Sequence, residues 1–341
     1  MSASMIFVMG TSRSGTTMMG RIFGKNAAVF TFEEIHFFER IWSPASPVQV
    51  YPLTEAENTF AKLISNQREG YLQEKHPENY LAEAKKAVAA YLAINNTEKA
   101  LFAPALFAHF LNYESDANGK IIGCDQTPNN LLYAADIFEY FDNARAIIMV
   151  RDPRDVLLSQ KGKWKRKFLG GGKNIPWKET LRAYINYHPI TISKLWMASN
   201  EKVLKLMNHP RAMVIHFEQL TENPETQIKK ACEFLGLTYH ENMLRVPQVG
   251  SSTGSDNPET LGIKKDNKNK FLKGLDTAEI KICEKMTARI RKIYGYEDAN
   301  VSPNYLFMFW YYISFPFKLT LALLFNIGRI KNIVQVIKRR L

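Results

Sequence analysis

A segment near the amino terminus has the residue types and spacing of an anion site. Residues 10–17 read Gly-Thr-Ser-Arg-Ser-Gly-Thr-Thr, between the apolar run Met5–Met9 and the apolar-periodic stretch Met18–Phe23. This pattern predicts a strand, a loop and a helix. Such a loop turns backbone N–H groups and a helix N-terminus toward one point, which suits a phosphate group. A plain turn of small residues is the alternative interpretation.

One position of this loop limits which class of nucleotide the loop can bind. Nucleotide-triphosphatase loops read G-x-x-x-x-G-K-[ST], and their lysine reaches the terminal phosphates of ATP. Here Thr16 stands at the lysine position, and the positive charge lies inside the loop as Arg13. The sequence therefore favours another phosphorylated nucleotide over ATP hydrolysis. A P-loop kinase or NTPase remains an alternative class, with Thr16 counting against it.

A second candidate phosphate contact follows a buried strand. The apolar run Ala144–Val150 leads into Arg151, and Ser159 comes two helical turns later. An arginine at the carboxyl end of a strand and a serine on the next helix can together bind a phosphate. A salt-bridged helix start is the alternative.

Short apolar runs separated by long helical patterns must position these residues. Such spacing predicts an α/β fold with a central parallel sheet covered by helices on both faces. Residues 54–115 predict helices inserted between early strands, and Gly170–Gly172 predicts a break. Asp152-Pro153 and Asn223-Pro224 predict helix starts. The predicted strands are Met5–Met9, Lys120–Cys124, Ala144–Val150 and Ala212–His216.

Composition limits the partners and the compartment. The 341 residues carry a formal net charge of +12, which suits an anionic cofactor, an anionic membrane or nucleic acid. No recognised nucleic-acid motif occurs, so nucleic acid is not predicted as a partner. The three cysteines show no metal-ligand spacing or disulfide framework, which favours a reducing compartment. Because the first strand begins within the first few residues, no signal peptide is predicted.

The carboxyl-terminal segment differs in character from the rest. Tyr305–Ile327 contains one charge, Lys318, and many aromatic residues, and Arg329–Leu341 has the pattern of a basic amphipathic helix. These features predict a helical tail that lies on a membrane surface. A buried helix pair that closes the domain is the alternative. The predicted division is a domain over residues 1–300 and a membrane-associating tail over 301–341.

Taken together, these motifs resemble the sulfotransferase superfamily. The segment Arg13–Thr17 is similar to its 5′-phosphosulfate loop, and Arg151 with Ser159 is similar to its 3′-phosphate motif. A third similarity covers Ile215–Leu220 and continues through Asn223-Pro224-Glu225 and Phe234–Leu237, with Phe217 where tyrosine is usual. The resemblance extends over about residues 5–295 and leaves the tail outside.

The resemblance implies a P-loop NTPase-like fold and a donor, 3′-phosphoadenosine 5′-phosphosulfate (PAPS), whose sulfuryl group moves to a hydroxyl or amine. It implies that Arg13 stabilises the leaving nucleotide. No metal is expected, because a sulfuryl group carries less charge than a phosphoryl group. The implied nucleotide-binding residues are Arg13, Ser14, Gly15, Thr16, Thr17, Arg151 and Ser159.

The catalytic base is inferred from the spacing between the loop and the acidic pair Glu33-Glu34. This spacing resembles that of tyrosylprotein sulfotransferases, and it assigns the base to Glu34. His36 is the competing base. One departure concerns Gln126, which stands where relatives often carry a lysine that neutralises the leaving group. A nucleotide-binding, membrane-associated protein without catalysis therefore remains an alternative.

The acceptor follows only from the expected location. A cytoplasmic-side enzyme held at an anionic membrane surface by its tail, peripherally or monotopically, favours a glycan or glycolipid hydroxyl. Protein tyrosine is the less favoured acceptor, since the related tyrosine enzymes enter the secretory pathway through an N-terminal anchor.

Overall fold

The fold is built on a parallel sheet, seen in a computed structural model. The structure describes residues 5–46, 48–70, 75–95, 100–165, 168–169, 173–248, 257–264 and 268–326. The strands are β1 Met5–Gly10, β2 Val29–Thr31, β3 Val50–Pro52, β4 Ala100–Phe102, β5 Ile122–Asp125, β6 Ala144–Val150, β7 Phe168–Leu169, β8 Lys173–Asn174, β9 Ala212–His216, β10 Pro247–Gln248 and β11 Asn257–Leu261.

Helices cover both faces of this sheet. They are α1 Thr16–Gly24, α2 Leu53–Glu69, α3 Leu81–Ile94, α4 Ala103–Ala117, α5 Ala134–Tyr140, α6 Pro153–Lys161, α7 Trp177–Ile185, α8 Pro189–Leu206, α9 Phe217–Glu222, α10 Pro224–Leu235, α11 Phe271–Gly274, α12 Thr277–Ile293 and α13 Tyr305–Asn326. Short 3₁₀ or π turns occur between them, including Phe37–Ile41 and Lys163–Lys165.

The main sheet has the order β2-β5-β1-β6-β9, and all its strands are parallel. This arrangement confirms the predicted α/β class. Strands β6 and β9 have the predicted bounds, whereas β5 begins two residues later than the predicted Lys120. Every residue of β1 is buried, as expected for a central strand with helices on both faces. The carboxyl ends of β1, β5 and β6 therefore meet at one edge.

Residues 54–115 lie between β2 and β5, and they form more than the predicted helices. They contain the helices α2, α3 and α4. In addition, β3 precedes α2 and β4 follows α3, and these two strands pair in antiparallel fashion. Asp152 caps α6 as predicted, because its side chain accepts a hydrogen bond from the Arg154 backbone N–H at 2.9 Å. Asn223 precedes α10, but its side chain makes no capping hydrogen bond. Gly170–Gly172 lies outside the described residues.

Two apolar cores hold the sheet from its two faces. One is rich in aromatic side chains and includes Phe7 of β1, Phe60 of α2 and Phe107 of α4. The other includes Ile6 and Val8 of β1, packed with side chains from α1 and α10. Burial of one such side chain contributes about 1.5–3 kcal/mol. The sheet edge that carries the loop is thus fixed by packing on both sides.

The tail helix α13 lies on the surface of the domain. None of its residues is buried. It touches the domain at a few points, such as the Tyr311 hydroxyl that donates to Asp276 Oδ2 at 3.0 Å and the Asn326 amide that donates to Asn186 Oδ1 at 2.8 Å. Its length and composition would suffice to cross a membrane. Its exposure does not support the alternative of a buried helix pair, and Arg329–Leu341 lies outside the described residues.

Candidate active site

The loop between β1 and α1, residues 10–17, is called the phosphate loop here. Gly10 ends β1 so close to β6 that a Cβ atom would lie 2.3 Å from the carbonyl oxygen of Met149. Gly15 has φ 95°, and a Cβ there would lie 2.5 Å from the ring of Phe217. Arg13 also has a positive φ, 76°. Glycine at both positions therefore lets the loop turn tightly beneath its neighbours.

The phosphate loop ends at a helix N-terminus. The backbone N–H of Met19 donates to the carbonyl of Gly15 at 3.0 Å, so the N–H groups of Thr16 and Thr17 precede the first helical hydrogen bond. Thr16 is buried and Thr17 is exposed. Ser14 is fully buried, and its hydroxyl has no hydrogen-bond partner among the described residues. The loop thus presents donors at the positive end of a helix dipole.

The structure joins the two motifs that the sequence offered as separate phosphate contacts. Arg13 Nε donates a hydrogen bond to Ser159 Oγ at 2.8 Å, across 146 positions of sequence. Arg151 Nη1 donates to the backbone carbonyl of Arg13 at 3.2 Å. Arg13, Arg151 and Ser159 therefore lie together at the carboxyl ends of β1 and β6. Two guanidinium groups and a hydroxyl there suit a doubly phosphorylated anion.

Arg151 is held by contacts that the sequence did not reveal. Its guanidinium carbon lies 4.3 Å from the ring centroid of Phe217. The indole N–H of Trp196 donates to the Arg151 carbonyl at 3.0 Å. In the sequence, Phe217 stood out only because relatives usually carry tyrosine there. In the structure its ring contacts Arg151 and fills the position that a side chain on residue 15 would need. The buried Arg151 Nε has no hydrogen-bond partner among the described residues.

Glu34 and His36, the rival bases of the sequence, are hydrogen-bonded to each other. His36 Nε2 lies 3.2 Å from Glu34 Oε2, and His36 Nδ1 lies 3.1 Å from Glu39 Oε2. Asn129 donates its amide to the same Glu39 oxygen at 2.8 Å. His36 is buried, and the side chain of Glu34 is one-third exposed. We call Glu34, His36 and Glu39 the acid–histidine cluster.

The cluster shifts the pKa values of its members. Burial disfavours charge on His36, but its hydrogen bonds to Glu34 and Glu39 outweigh burial and raise its pKa above 6.5. Burial also disfavours charge on Glu34, but the hydrogen bond and charge of His36, with the charges of Lys163 and Arg13, lower its pKa below 4.5. Glu34 is therefore ionised at neutral pH and can accept a proton, and the raised pKa of His36 favours its protonated form between the two carboxylates.

Asp125, which sequence reasoning did not single out, anchors this cluster to the end of β5. Its Oδ1 accepts hydrogen bonds from the Thr127 hydroxyl at 2.6 Å and from the Thr127 backbone N–H at 3.0 Å. Asn130 donates its amide to Asp125 Oδ2 at 2.8 Å. The backbone N–H of His36 in turn donates to Thr127 Oγ1 at 3.4 Å. The Asp-x-Thr-x-x-Asn spacing was the available signal in the sequence.

Gln126, in the place of the usual lysine, is buried at the end of β5, where it faces helix α1. A Cβ on Gly20 of α1 would lie 3.0 Å from the Gln126 Cβ, so the helix approaches this residue closely. Gln126 Oε1 has no hydrogen-bond partner among the described residues. Its amide group is neutral, so the positive charge beside the phosphate loop comes from Arg13 and Arg151. Within the same residues, no group of three or more His, Cys, Asp and Glu side chains is arranged to hold a metal ion.

The parallel sheet and the tight loop that brings Arg13 and Arg151 together define an α/β fold with a candidate anion site. Residues 5–241 match the model of a sulfotransferase family. The chain belongs to this family, as the sequence motifs predicted. Comparison with curated proteins gave no match.

Solved structures of low sequence identity resemble the chain, and the first of the three that follow shares its fold. The sulfotransferase domain of the Synechococcus PCC 7002 olefin synthase is 19% identical, with a TM-score of 0.52 over 86% of this chain and 94% of that domain. A sulfotransferase domain from the curacin biosynthetic pathway is 17% identical, with a TM-score of 0.44 over 87% and 99%. Retinol dehydratase in complex with retinol and PAP is 15% identical, with a TM-score of 0.39 over 89% and 84%.

Proposed function

We propose that the protein transfers a sulfuryl group from PAPS to a hydroxyl of a carbohydrate or glycolipid at a membrane surface. The observation that carries the proposal is the pair of hydrogen bonds that joins Arg13 to Ser159 and Arg151 to Arg13. Membership of the sulfotransferase family supports sulfuryl transfer. A kinase or NTPase is disfavoured by the same membership and by Thr16 in the place of the lysine.

In this proposal the phosphate loop and the two arginines bind the donor. Arg151 and Ser159 bind the 3′-phosphate, and Arg13 with Ser14, Gly15, Thr16 and Thr17 binds the 5′-phosphosulfate. Buried polar atoms normally have partners, so the unpaired Ser14 Oγ and Arg151 Nε fit a polar ligand beside the loop.

The reaction exchanges one sulfur–oxygen bond for another. The acceptor oxygen forms a bond to sulfur, and the bond between sulfur and the bridging oxygen of the nucleotide breaks. Negative charge then grows on that bridging oxygen, where Arg13 and the helix N-terminus stabilise it. Glu34 takes the proton of the acceptor hydroxyl, and His36 holds the carboxylate ionised and oriented. Ser159 fixes the Arg13 guanidinium through the 2.8 Å hydrogen bond.

The nucleotide assignment is tested by calorimetry with 3′-phosphoadenosine 5′-phosphate (PAP) and AMP. We expect the wild-type protein to bind PAP at least about tenfold more tightly than AMP, because a hydrogen bond to a charged group contributes about 1.5–3 kcal/mol. Arg151→Ala should remove most of this preference. Arg289→Ala, which changes an exposed arginine paired with Glu201, is the control. Equal affinities of the wild-type protein for PAP and AMP would contradict the proposal.

The acceptor and the membrane are proposed from the tail helix α13. Its exposed aromatic side chains, among them Trp310 at 66% exposure and Tyr312 at 43%, suit the headgroup region. Pro316 and Lys318 interrupt the apolar run, which favours a helix lying in the interface. A hydroxyl acceptor carried by a membrane glycolipid would be accessible to an enzyme held there; a soluble glycan and protein tyrosine are the other acceptors to screen.

A chain that ends at Pro303 tests the tail. Because α13 buries none of its residues, we expect this truncated protein to keep its fold and its PAP affinity while its membrane-bound fraction falls. Circular dichroism, calorimetry and co-sedimentation with membranes measure the three properties. Unfolding would assign the tail to the domain instead.

A further inference from the structure

A face of helix α7 exposes apolar side chains that the tail does not explain. Trp177, Leu181 and Tyr184 are spaced i, i+4 and i+7, so they lie on one side of the helix. Their exposures are 70%, 38% and 54%. A surface helix normally turns its apolar stripe toward the core, and here only Ile185 of α7 is buried.

Neighbouring elements extend this face in both directions. The Trp164 ring, itself 39% exposed, packs edge-on against Tyr184 with ring centroids 5.7 Å apart. On the other side, Lys318 Nζ of the tail helix lies 4.8 Å from the centroid of the same Tyr184 ring. Trp164, Trp177, Leu181 and Tyr184 are called the α7 patch. The α7 patch is therefore continuous with α13, the proposed membrane helix.

The charges around the α7 patch are mainly positive. Lys163, Lys165 and Lys178 are exposed, and Lys165 Nζ lies 5.6 Å from the Trp164 ring centroid. The one carboxylate of α7, Glu179, is paired with Arg182 and is 16% exposed. Exposed Trp and Tyr rings beside lysines are typical of the headgroup region of an anionic bilayer. Lysine is depleted in protein–protein interfaces, which makes a protein partner the less fitting occupant.

The α7 patch lies beside the candidate active site. Ser159, which contacts Arg13, is on α6, and that helix ends at Lys161. The turn Lys163–Lys165 follows two residues later and packs on α7 through Trp164. The charge of Lys163 also acts on Glu34. A surface that seats the α7 patch would therefore lie close to the residues proposed to receive the acceptor.

We propose that the α7 patch is a second membrane contact, carried by the domain itself, that seats on anionic lipid headgroups. This contact orients the acceptor side of the site toward the bilayer, which a single tail helix would not do. The proposal concerns binding and stands whether or not the bound lipid is the sulfuryl acceptor.

Fluorescence quenching tests the position of the α7 patch in the full-length chain. In Trp310→Phe the tail tryptophan is absent, and Trp42 and Trp196 are buried at 3% and 0% exposure. Vesicles of phosphatidylserine and brominated phosphatidylcholine should therefore quench mainly Trp164 and Trp177. We expect Trp310→Phe to be quenched and the further change Trp177→Phe to remove a large part of that quenching. Equal quenching of both proteins would overturn the proposal.

Co-sedimentation with the same vesicles tests the charges. Because each lysine near an anionic surface contributes about 1 kcal/mol, the double variant Lys165→Glu/Lys178→Glu should bind at least about tenfold more weakly. Lys85→Glu/Lys86→Glu is the matched control, since it makes the same change of charge at two exposed lysines of α3. Both variants should keep wild-type PAP affinity, which separates this test from that of the proposed function.

Two results would assign the α7 patch to another role. If the lysine variant binds vesicles like the wild-type protein, the α7 patch is not a membrane contact. If sedimentation without vesicles shows a dimer that Trp177→Ser/Leu181→Ser dissociates, and vesicle binding is unchanged, the α7 patch joins two copies of the chain instead.

Discussion

The two ends of the candidate site are held by different kinds of contact. At the nucleotide end, Arg13 and Arg151 are fixed by the Ser159 hydroxyl and the Phe217 ring. This end is built from guanidinium groups, a hydroxyl and an aromatic ring. At the acceptor end, the acid–histidine cluster consists of three ionisable groups in direct contact. The proposed nucleotide end is held by a hydroxyl and an aromatic ring, whereas the proposed acceptor end contains groups whose pKa values are shifted by their mutual contacts.

The largest expected effect is a loss of turnover when one carboxylate at the acceptor end is changed. It distinguishes the two ends because the nucleotide end is left intact. Glu34→Gln removes the proposed base and leaves the phosphate loop intact. We therefore expect turnover to fall by roughly 10²–10⁴-fold while PAP affinity stays unchanged. Turnover with labelled donor and calorimetry with PAP measure the two quantities.

Two further variants serve as controls for this result. Arg13→Ala should lower both PAP affinity and turnover, because Arg13 belongs to the nucleotide end. His36→Ala removes the partner that holds Glu34, and some turnover should remain. Loss of all turnover in His36→Ala, with normal turnover in Glu34→Gln, would assign the base to His36.

A second variant breaks the nucleotide end without removing any charge. Phe217 is 6% exposed, so Phe217→Ala should lower the free energy of unfolding by about 3–5 kcal/mol, the usual cost of such a truncation. The protein that remains folded should bind PAP more weakly, because Arg151 loses the ring that it lies against. Urea unfolding and calorimetry measure these effects.

Phe217→Tyr is the matched control, because it keeps the ring above Gly15. We expect near wild-type stability and PAP affinity for this variant. If Phe217→Ala destabilises the protein but leaves PAP affinity unchanged in the folded fraction, the ring is a core residue and does not position Arg151.

Local patterns predicted the local structure around the proposed nucleotide end better than that around the proposed acceptor end. The phosphate loop, β6 and the Asp152 cap depend on neighbouring residues, so their spacing was readable in the sequence. The hydrogen bond of Arg13 to Ser159 and the stacking of Arg151 on Phe217 join residues far apart in sequence. No local pattern encodes such contacts.

At the acceptor end, the sequence offered Glu34 and His36 as rivals. Their contact arises because His36 adopts a left-handed backbone conformation, with φ 53°, which periodicity does not predict. The role of Asp125 was missed although its partners are near in sequence, with Thr127 directly before the 3₁₀ turn Pro128–Tyr133 and Asn130 within it.

The smallest expected effect concerns the dependence of stability on pH. The pKa of His36 is raised above 6.5, so its stabilising contribution is present below pH 6.5 and is lost as the pH rises through the raised value. The pKa of Glu34 is lowered below 4.5, so its contribution is present above pH 4.5 and is lost as the pH falls through the lowered value. The contact should stabilise the fold most between these limits. Because Glu34 is one-third exposed, solvent screening keeps the effect small.

Urea unfolding of the wild-type protein and His36→Gln at a series of pH values measures this contribution. The difference in free energy of unfolding between the two proteins should be largest between pH 4.5 and 6.5 and should shrink on the alkaline side. The difference between the wild-type protein and Ser159→Ala should stay constant over the same range, because neither Ser159 nor Arg13 titrates there. A His36→Gln difference that is equally constant would mean that His36 is held neutral. The acceptor end would then be as insensitive to pH as the nucleotide end, and Glu34 would lose the cationic partner that keeps it ionised.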